Sequence, residues 1–593
     1  MAYLKLIGAR YVNKGYLAAL ATANITNVTV VNSPRDEDGH GSHTLSTAGG
    51  AFVPRASVFN FGKGMAKGGA PRARVAAYKV CWPPINGSEC FDADIVAAFD
   101  AALAEGIDVI SAFLRGDPTP YFNDSISIGS FHAMMKGVPM VCSAGNSGPS
   151  YGTVSNLSPW ILTVGASTMD RELANWIIKN MWYFIMVIAR LTASSFENFI
   201  SLSILKGQSL ARTSLVAGKF YPLISAMSAK ATNASSGEGQ LCKAGTLDPK
   251  EVKGKILVCL RGDNARVDKG QQVALAGGVG MILANNQATG NEVIADPQVL
   301  PASHLNYTDG FAVFTYINSA KSLKAFITPM TTRLGTRPAP FMAAFSSRGP
   351  NAITPEILKP DITAPGVSVI AAYTKAQGPT NQLFDKRRVE FNSLTGTSMS
   401  CPHHEQTKIS FIVITARTED NMWEPIPNAS NMKANPFNYG AGHVQPNRAM
   451  DPGLVYDLDV NDYLHFLRGL GYNQSMIVLF SKGPYACPKN FAITDLTYPS
   501  ITMPNLHGSI TVTRTLKNVG SPGIYIARVQ KPTGISVFVK PNVLKFDSIG
   551  QEKKFKLRLK VKKGNAPKDY VFGRLTRSDR VHHVSSPIVV EAV

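Results

Sequence analysis

Two short stretches, far apart in the chain, determine how this protein is interpreted: residues 36–44 read DEDGHGSHT and residues 396–403 read GTSMSCPH. A hydroxyl is a poor nucleophile at neutral pH until a base removes its proton, and histidine, with a pKa near 6.5, is suited to that task. The two stretches predict His40 as general base and Ser398 as nucleophile. The glycines beside His40 let the backbone approach a substrate closely, and Gly396 allows a tight entry into a helix.

A third stretch, SAGNSGP at residues 143–149, follows an apolar segment at 137–142 that is typical of a strand. The amide of Asn146 could donate a hydrogen bond to the oxyanion of a tetrahedral intermediate, an interaction worth about 3–4 kcal/mol. Taken alone, each stretch also has an ordinary structural interpretation. A histidine between glycines can be a loop residue, and Asn146 can bind its own backbone in a turn.

The regular pattern between these stretches predicts an α/β fold. Segments 73–80 and 109–114 have the composition of strands and enclose a helical pattern at 94–105. Strand–helix–strand units build a parallel sheet with helices on both faces, and ligands bind at the carboxyl ends of its strands. Segments 252–261 and 274–285 repeat the pattern through a glycine-rich turn, which lacks the spacing of a phosphate-binding loop.

The charge of the chain is concentrated at its C-terminal end. Residues 501–593 contain 17 Lys and Arg against 5 Asp and Glu, and so supply +12 of the formal charge of +20. Basic and apolar residues alternate over 554–562, which predicts a strand with one solvated basic face. The alternative is contact with an acidic polysaccharide or with membrane headgroups. No motif supports binding to nucleic acid.

Cysteines, glycosylation sequons and apolar segments indicate the environment of the protein. The seven cysteines show no metal-ligand spacing, so no metal site is predicted, whereas Cys81 and Cys90 could close a small disulfide ring. Nine Asn-x-Ser/Thr sequons are compatible with a secreted glycoprotein. The first residues contain no apolar signal segment, so the chain as given predicts no signal peptide. The lipophilic segment 176–191 is too short and too charged to span a membrane.

The three stretches, in this order, resemble the histidine, oxyanion and serine blocks of the subtilase family. The flanking segments FSSRGPN (345–351), KPDITAPG (359–366) and NYGAGH (438–443) are similar to the plant branch in particular. This resemblance implies a subtilisin-like parallel sheet with helices on both faces, and catalysis by His40 and Ser398 with Asn146 as oxyanion donor. It also implies an edge that pairs with an extended peptide substrate. The substrate-binding residues implied are Ser111, Leu114, Gly116, Ser143 and Gly145.

The resemblance also predicts the domain organisation. Residues 1–224 and 336–490 form the two parts of the catalytic domain, residues 225–335 form an inserted protease-associated domain, and residues 495–593 form a fibronectin type III-like β-sandwich. Short strands separated by Gly and Pro turns after about residue 495 agree with the last assignment.

The sequence departs from the family pattern in four places. The family's catalytic aspartate lies on an N-terminal strand for which this chain has no counterpart, and Asp36 and Asp38 belong to the histidine motif and are not assigned to that role. The polar residues HEQTK at 404–408 stand where a buried helix is expected, which predicts a gap near 404–414 and exposed apolar sheet surface. A Trp-, Met- and Phe-rich insert occupies 176–204. The substrate edge carries Arg115 where the family usually has glycine.

These features predict a serine endopeptidase that cleaves polypeptides through an acyl-enzyme, with impaired activity, and whose chemistry requires no cofactor. The alternatives are an inactive peptide-binding protein and a non-functional fragment. An extracellular or cell-wall location is implied by the resemblance, with acidic polysaccharide as a partner of the basic C-terminal domain. The oligomeric state cannot be inferred from the sequence.

Overall fold

The computed structural model describes residues 5–28, 31–114, 116–179, 204–319, 323–404, 409–481, 485, 491–564 and 566–592. The first part of the chain contains strands β1 Leu6–Tyr11, β2 Val53–Val58, β3 Phe61–Ala66, β4 Val75–Lys79, β5 Cys81–Ile85, β6 Ser88–Cys90, β7 Ile110–Ala112, β8 Met140–Ser143 and β9 Ile161–Ser167. Its helices are α1 Lys14–Thr22, α2 His40–Gly49, α3 Asp92–Ala104 and α4 Ser125–Met135. The strand, helix and strand predicted over 73–114 are present as β4, α3 and β7 with shifted ends, but β4 and β7 belong to separate sheets rather than to one parallel sheet.

The middle of the chain builds a second sheet. Its strands are β10 Arg171–Lys179, β11 Ile204–Gln208, β12 Tyr221–Ser225, β13 Ile256–Leu260, β14 Gly280–Ala284, β15 Ala302–Leu305, β16 Lys324–Ile327 and β17 Thr331–Leu334, in the order β11-β15-β14-β13-β12-β16-β10-β17. Helices α5 Ser236–Gln240, α6 Pro249–Val252, α7 Arg266–Leu275 and α8 Tyr307–Ser319 accompany them. Strands β10 and β11 belong to this sheet although both precede residue 225. The limits 225–335 of the inserted domain stay a prediction.

The predicted insert at 176–204 has different limits in the structure. Trp176 pairs with Lys206 and Ile178 pairs with Ile204 across the antiparallel strands β10 and β11, so residues 176–179 and 204 belong to the sheet. The remaining residues, 180–203, lie outside the described part of the chain. No helix among the described residues is long and apolar enough to cross a membrane.

The chain then returns to the first sheet. The elements here are β18 Ile362–Pro365, β19 Val369–Ala372, β20 Phe391–Leu394, α9 Thr397–Ser400, a 3₁₀ turn Cys401–His404, α10 Ile409–Ile414, α11 Pro436–Tyr439, α12 Pro446–Ala449, α13 Val460–Gly469 and α14 Gln474–Ile477. Strand β18 completes a parallel sheet in the order β18-β9-β8-β7. A parallel sheet covered by helices on both faces buries its strands, and every residue of β8 and β9 is buried.

The parallel arrangement is interrupted beyond β7. Strand β4 pairs with β1 in a separate two-stranded parallel sheet, and within the described part of the chain β7 pairs only with β8. All residues of β4 and β7 are half-buried. The two strands on either side of the interruption are therefore less covered than the interior strands β8 and β9.

The expectation that apolar sheet surface would be exposed after the serine block is wrong. Helix α10 buries Ile412 and Val413 against Val141 of β8 and Leu162 of β9, in a cluster that also contains Ile362 of β18. A short apolar helix thus covers this face of the sheet although the segment 404–408 is polar. The sequence did not reveal this because the covering residues begin only after the polar run.

The C-terminal part is a sandwich of two sheets. Its strands are β21 Leu454–Val455, β22 Ile501–Leu506, β23 Ser509–Asn518, β24 Gly523–Gln530, β25 Ile535–Lys540, β26 Val543–Phe546, β27 Glu552–Val561, β28 Val571–Ser578 and β29 His583–Ala592. One sheet has the order β21-β23-β27-β25 and the other β22-β29-β28-β24-β26. The alternation predicted over 554–562 is confirmed for β27, in which Phe555, Leu557 and Leu559 are buried and the intervening basic residues are exposed.

Two disulfides lie within the described residues. The Cys81–Cys90 bond joins β5 to β6, as the sequence suggested, and the Cys242–Cys259 bond was not predicted. Cys142 is free and buried, Cys401 is buried, and Cys487 lies outside the described residues. Two of the nine predicted sequons are not accessible in the folded protein, because Asn156 and Asn428 are only 7% and 8% exposed.

Candidate active site

Ser398 lies in the first turn of helix α9. The N–H of Gly396, the residue before this helix, donates a 2.9 Å hydrogen bond to the carbonyl oxygen of Gly366, and Ser400 Oγ donates to the carbonyl oxygen of Thr397 at 2.8 Å. Ser398 itself is 8% exposed. The turn that carries the serine is therefore fixed by a backbone hydrogen bond before Ser398 and by a side-chain hydrogen bond after it.

Asn146 is held beside this turn by Thr397. The backbone N–H of Thr397 donates to Asn146 Oδ1 at 2.9 Å, and Thr397 Oγ1 donates to the same oxygen at 3.0 Å. Asn146 is exposed, and its amide nitrogen Nδ2 donates to no acceptor within the described part of the chain. Because the oxygen is occupied, the amide N–H groups stay available to a ligand. The role of Thr397 was missed at the sequence level, although it stands inside the serine block.

Gly145 shows why the oxyanion block requires glycine. Its φ is +97°, in the left-handed region that glycine tolerates best. A Cβ at this position would lie 2.9 Å from Ser347 Oγ and 3.0 Å from Ser155 Oγ. Its N–H donates to Thr397 Oγ1 at 3.2 Å, which links the end of β8 to the serine turn.

His40 is the first residue of helix α2. Gly39 precedes it with φ +103°, and a Cβ there would lie 2.3 Å from the ring of Tyr373. The carboxylate of Asp36 accepts hydrogen bonds from the N–H groups of Gly39 at 2.7 Å and Ser42 at 2.6 Å. An acceptor at a helix N-terminus satisfies N–H groups that have no partner within the helix. Asp36 thus fixes the backbone of the histidine block.

The carboxylates of the histidine block do not hold the imidazole. Asp38 Oδ1 accepts the backbone N–H of His40 at 3.1 Å, while Asp36 binds the turn. The ring of His40 meets Phe113 edge-on, with centroids 6.1 Å apart. Among the residues that the structure describes, no carboxylate forms a hydrogen bond or ion pair with the His40 ring. Neither Asp36 nor Asp38 therefore has the position of an orienting carboxylate.

Burial sets the protonation state of His40. It lowers the pKa of His40 below its ordinary value of 6.5, although the carboxylates of Asp38, Asp36 and Glu89 oppose this effect. For Asp36, burial raises the pKa, but hydrogen bonds from Ser42 and from the backbone N–H of Gly39 outweigh it, so the net pKa is lowered. At neutral pH the imidazole is consequently uncharged, which is the form that accepts a proton.

The fold brings the histidine and serine blocks together. Helices α2 and α9 contact each other, and both contact the turn Cys401–His404. No hydrogen bond joins the His40 ring to Ser398 in the described part of the protein. Catalytic hydrogen bonds are often long before substrate binds, so this arrangement is compatible with the predicted pair.

The predicted substrate-binding residues lie around the carboxyl ends of β7 and β8. Ser111 is in β7, Leu114 follows it, and Ser143 ends β8. Asn156, which the sequence suggested only as a glycosylation sequon, donates from Nδ2 to the carbonyl oxygens of Leu114 at 3.0 Å and Ser143 at 2.8 Å. Asn156 therefore ties the two strand ends together. Gly116 is exposed beyond them, while Arg115 lies outside the described residues.

Of the other histidines near the site, His43 is buried and His403 is half-buried. Burial lowers the pKa of His43 and of His403 to about 4 each. The Nε2 of His43 contacts the carbonyl oxygen of Val369 at 3.0 Å, which links α2 to β19. In the described ranges no three His, Cys, Asp or Glu side chains are grouped as metal ligands.

The chain is similar to known proteins over most of its length. A family model described as "Subtilase family" matches residues 20–404, more than half of the chain, and one described as "Fibronectin type-III domain" matches residues 495–590. The chain is 55% identical to "Subtilisin-like protease SBT5.3" of Arabidopsis thaliana, with 99% of this chain and 75% of that protein aligned. It is 53% identical to "Subtilisin-like protease SBT5.4" of the same plant, over 99% and 74%. For "Subtilisin-like protease Glyma18g48580" of Glycine max the identity is 41%, over 99% and 75%.

The fold and these similarities define a subtilisin-like serine protease. The chain belongs to the subtilase family. The predicted family, the α/β fold and the C-terminal fibronectin III-like domain are thereby confirmed. The chain spans about three quarters of the length of these relatives.

Proposed function

We propose that the chain is a serine endopeptidase in which Ser398 is the nucleophile, His40 the general base and Asn146 the oxyanion donor. The observation that supports this most directly is the pair of hydrogen bonds from Thr397 to Asn146 Oδ1. They leave the Asn146 amide N–H groups beside the serine turn with no acceptor in the described structure. Preorganised donors of this kind stabilise charge that develops in the transition state.

In the proposed reaction, Ser398 Oγ attacks the carbonyl carbon of the scissile peptide bond while His40 takes the hydroxyl proton. The carbonyl oxygen becomes an oxyanion that accepts a hydrogen bond from Asn146 Nδ2. When the intermediate collapses, His40 gives the proton to the leaving amine and an ester to Ser398 remains. Water, deprotonated by His40, then attacks the ester; the bond between the acyl carbon and Ser398 Oγ breaks, His40 returns the proton to Ser398 Oγ, and the carboxylic acid is released. The polypeptide substrate is the only partner that this chemistry requires.

The substrate is proposed to bind as an extended strand along the edge of β7. Within the described residues, β7 pairs only with β8, so its other edge offers backbone groups to a peptide, as in β-augmentation. Ser111, Leu114 and Gly116 would line this edge, with Ser143 and Gly145 on the opposite wall. The hydrogen bonds from Asn156 would keep the two walls in register.

We further propose that turnover by this chain is impaired. The imidazole of His40 contacts the ring of Phe113 but no carboxylate of the described residues. Disabling the orienting aspartate of a related triad lowers kcat by about 10⁴. The same observation favours a second candidate function, in which the cleft binds peptides without cleaving them.

Active-site labelling combined with turnover tests both candidates. The purified chain is incubated with a peptidyl aryl phosphonate, modified Ser398 is identified by mass spectrometry, and hydrolysis of a fluorogenic peptide is compared with that of an intact relative. We expect slow labelling of Ser398, absent in Ser398→Ala, and turnover at least about 10⁴ below the relative. Peptide binding without labelling would favour the second candidate. Turnover within about tenfold of the relative, abolished by Ser398→Ala, would contradict impairment.

For the location, we propose the extracellular space or the cell wall, with the domain limits stated above. Two disulfides persist best in an oxidising compartment. The sequon asparagines that are exposed are Asn24, Asn27, Asn86, Asn123, Asn233 and Asn473. Glycopeptide mapping of the secreted protein should find glycans among these sites and none at the buried Asn156 or Asn428. An acidic polysaccharide is the proposed partner of the basic C-terminal domain.

A further inference from the structure

The C-terminal sandwich presents one sheet face with an unusual composition. The central strand of that face, β27, exposes Lys554, Lys556, Arg558 and Lys560, while Phe555, Leu557 and Leu559 point into the core. Alternate residues of a strand lie about 6.6–6.8 Å apart, so the four cations form a row roughly 20 Å long. We call this row and its two flanking strands the basic face.

Hydroxyl groups line one side of the row. Directly paired residues of an antiparallel ladder share a face, and β23 places Ser509 opposite Lys560, Thr511 opposite Arg558, Thr513 opposite Lys556 and Thr515 opposite Lys554. The side chain of Arg558 donates to Ser509 Oγ at 3.4 Å. Each cation thus has a hydroxyl neighbour across the strand.

The other side of the row carries an exposed aromatic ring. Strand β25 places Phe538 opposite Arg558, Lys540 opposite Lys556 and Ser536 opposite Lys560. Phe538 is 58% exposed, although its neighbour Val537 is buried at 5%. A large apolar ring left in solvent next to unpaired cations suits a ligand that has both charge and an apolar face.

The four cations of the central row have no ion-pair partners among the described residues. Nearby basic residues differ, since Lys517 pairs with Asp457 at 2.8 Å and Lys545 pairs with Asp547 at 2.9 Å. Lys517 also lies 3.9 Å from Glu552, at one end of the face. Asp457, Glu552 and Asp547 therefore pair with the surrounding basic residues, and the four cations of the central row stay available to an external anion.

We propose that the basic face binds a linear acidic polysaccharide, with its carboxylates on the cation row, its hydroxyls on the Ser/Thr row and a sugar ring on Phe538. This deepens the polysaccharide partner proposed above and is independent of peptidase activity. A single flat row of charge flanked by hydroxyls matches one extended chain better than a membrane surface. Neutral hydroxyl donors and acceptors also match sugars better than phosphates.

The test measures binding of polygalacturonate to the full chain, with fully methyl-esterified polymer as uncharged control. The double variant Lys556→Gln/Arg558→Gln removes the centre of the row, and Lys250→Gln/Lys253→Gln removes the same charge from exposed positions in the middle domain. We expect about tenfold weaker binding for the first and less than twofold change for the second, since exposed ion pairs each contribute modestly. Binding should also weaken as salt rises.

A third variant, Phe538→Ala, separates sugar recognition from general charge. It should weaken binding to polygalacturonate while leaving the weak binding of polyphosphate unchanged. Unfolding temperatures of all variants should match the parent because the changed side chains are exposed. Equal losses for the two double variants would overturn the proposal, and so would tighter binding to DNA or to anionic vesicles than to polygalacturonate.

Discussion

The serine side and the histidine side of the candidate site are held in different ways. On the serine side, Thr397 and Gly145 connect the catalytic turn to Asn146 through side-chain hydrogen bonds. On the histidine side, Asp36 fixes only the backbone around His40, and the ring meets Phe113 rather than an acceptor. The proposed oxyanion donor is thus preorganised, whereas the proposed general base is not oriented by a carboxylate of the described residues. This difference predicts which substitutions should matter.

The largest expected effect is a loss of stability in the sheet that supports the serine side. Lys359 is fully buried, and its Nζ donates to Asp361 Oδ2 and to the carbonyl oxygen of Ile161, both at 2.6 Å, between β9 and β18. Lys359→Met leaves Asp361 charged and buried without its cation, which should cost roughly 3–5 kcal/mol of unfolding free energy. The loss is measured by urea unfolding followed through intrinsic fluorescence.

The control for this prediction is another lysine in an ion pair. Lys375 pairs with Glu390 at 3.3 Å, with side chains 66% and 75% exposed. Lys375→Met should change stability by less than about 1 kcal/mol. Similar losses for both variants would show that the buried pair does not support the serine side.

Much of this arrangement could be predicted from the sequence, because the motifs lie at the ends of strands and at the starts of helices. His40, Asn146 and Ser398 fall at such positions, and strand β8 follows from its apolar run. Contacts between distant segments could not be predicted. Asn156 looks like a glycosylation sequon, yet it joins Leu114 to Ser143, since only the folded chain brings their carbonyl groups within its reach.

Around His40, too, the contacts between distant segments could not be predicted from the sequence. Gly39 signals a special backbone conformation, but the sequence does not reveal that Tyr373 fills the space next to it. The second disulfide, Cys242–Cys259, depends on the packing of the middle sheet. The short helix α10 covers β8 and β9 although polar residues precede it. Each of these features depends on tertiary packing, which local propensity does not specify.

The next largest effect is expected for Asn146→Ala. Because Asn146 is preorganised, its loss should slow phosphonate labelling of Ser398 by about 10²–10³-fold, a magnitude taken from subtilisin, a member of the same family. Thr397→Val is the matched variant, since it keeps the shape and removes only the hydroxyl that donates to Asn146 Oδ1 and accepts the N–H of Gly145. It should produce a smaller loss in the same direction. If Asn146→Ala labels as fast as the parent, the amide does not face the oxyanion.

A smaller effect is expected for His40→Ala. In subtilisin, removal of the whole triad costs only about 10² more than removal of the aspartate alone. An imidazole without an orienting carboxylate should therefore contribute less than about 10²-fold to the labelling rate. Labelling is compared for the parent, His40→Ala and Phe113→Ala, the last of which removes the ring contact with His40 together with the packing of Phe113 against the sheet. A loss for His40→Ala far above that limit would mean that another group orients the imidazole, and the contrast between the two sides would disappear.

The smallest expected effect concerns pH. The base form of His40 is required, and burial lowers its pKa below 6.5. Labelling should thus be constant near neutral pH and fall only when the solution becomes more acidic than pH 6.5, as the imidazole gains its proton. The carboxylate of Asp38 opposes the lowering, so Asp38→Asn should move the midpoint to still lower pH by a few tenths of a unit, because Asp38 is exposed and screened. Glu37→Gln is the control, since Glu37 is exposed in the same turn. A parent midpoint above 6.5 would show that an unrecognised anion binds the ring of His40, which no carboxylate of the described residues does.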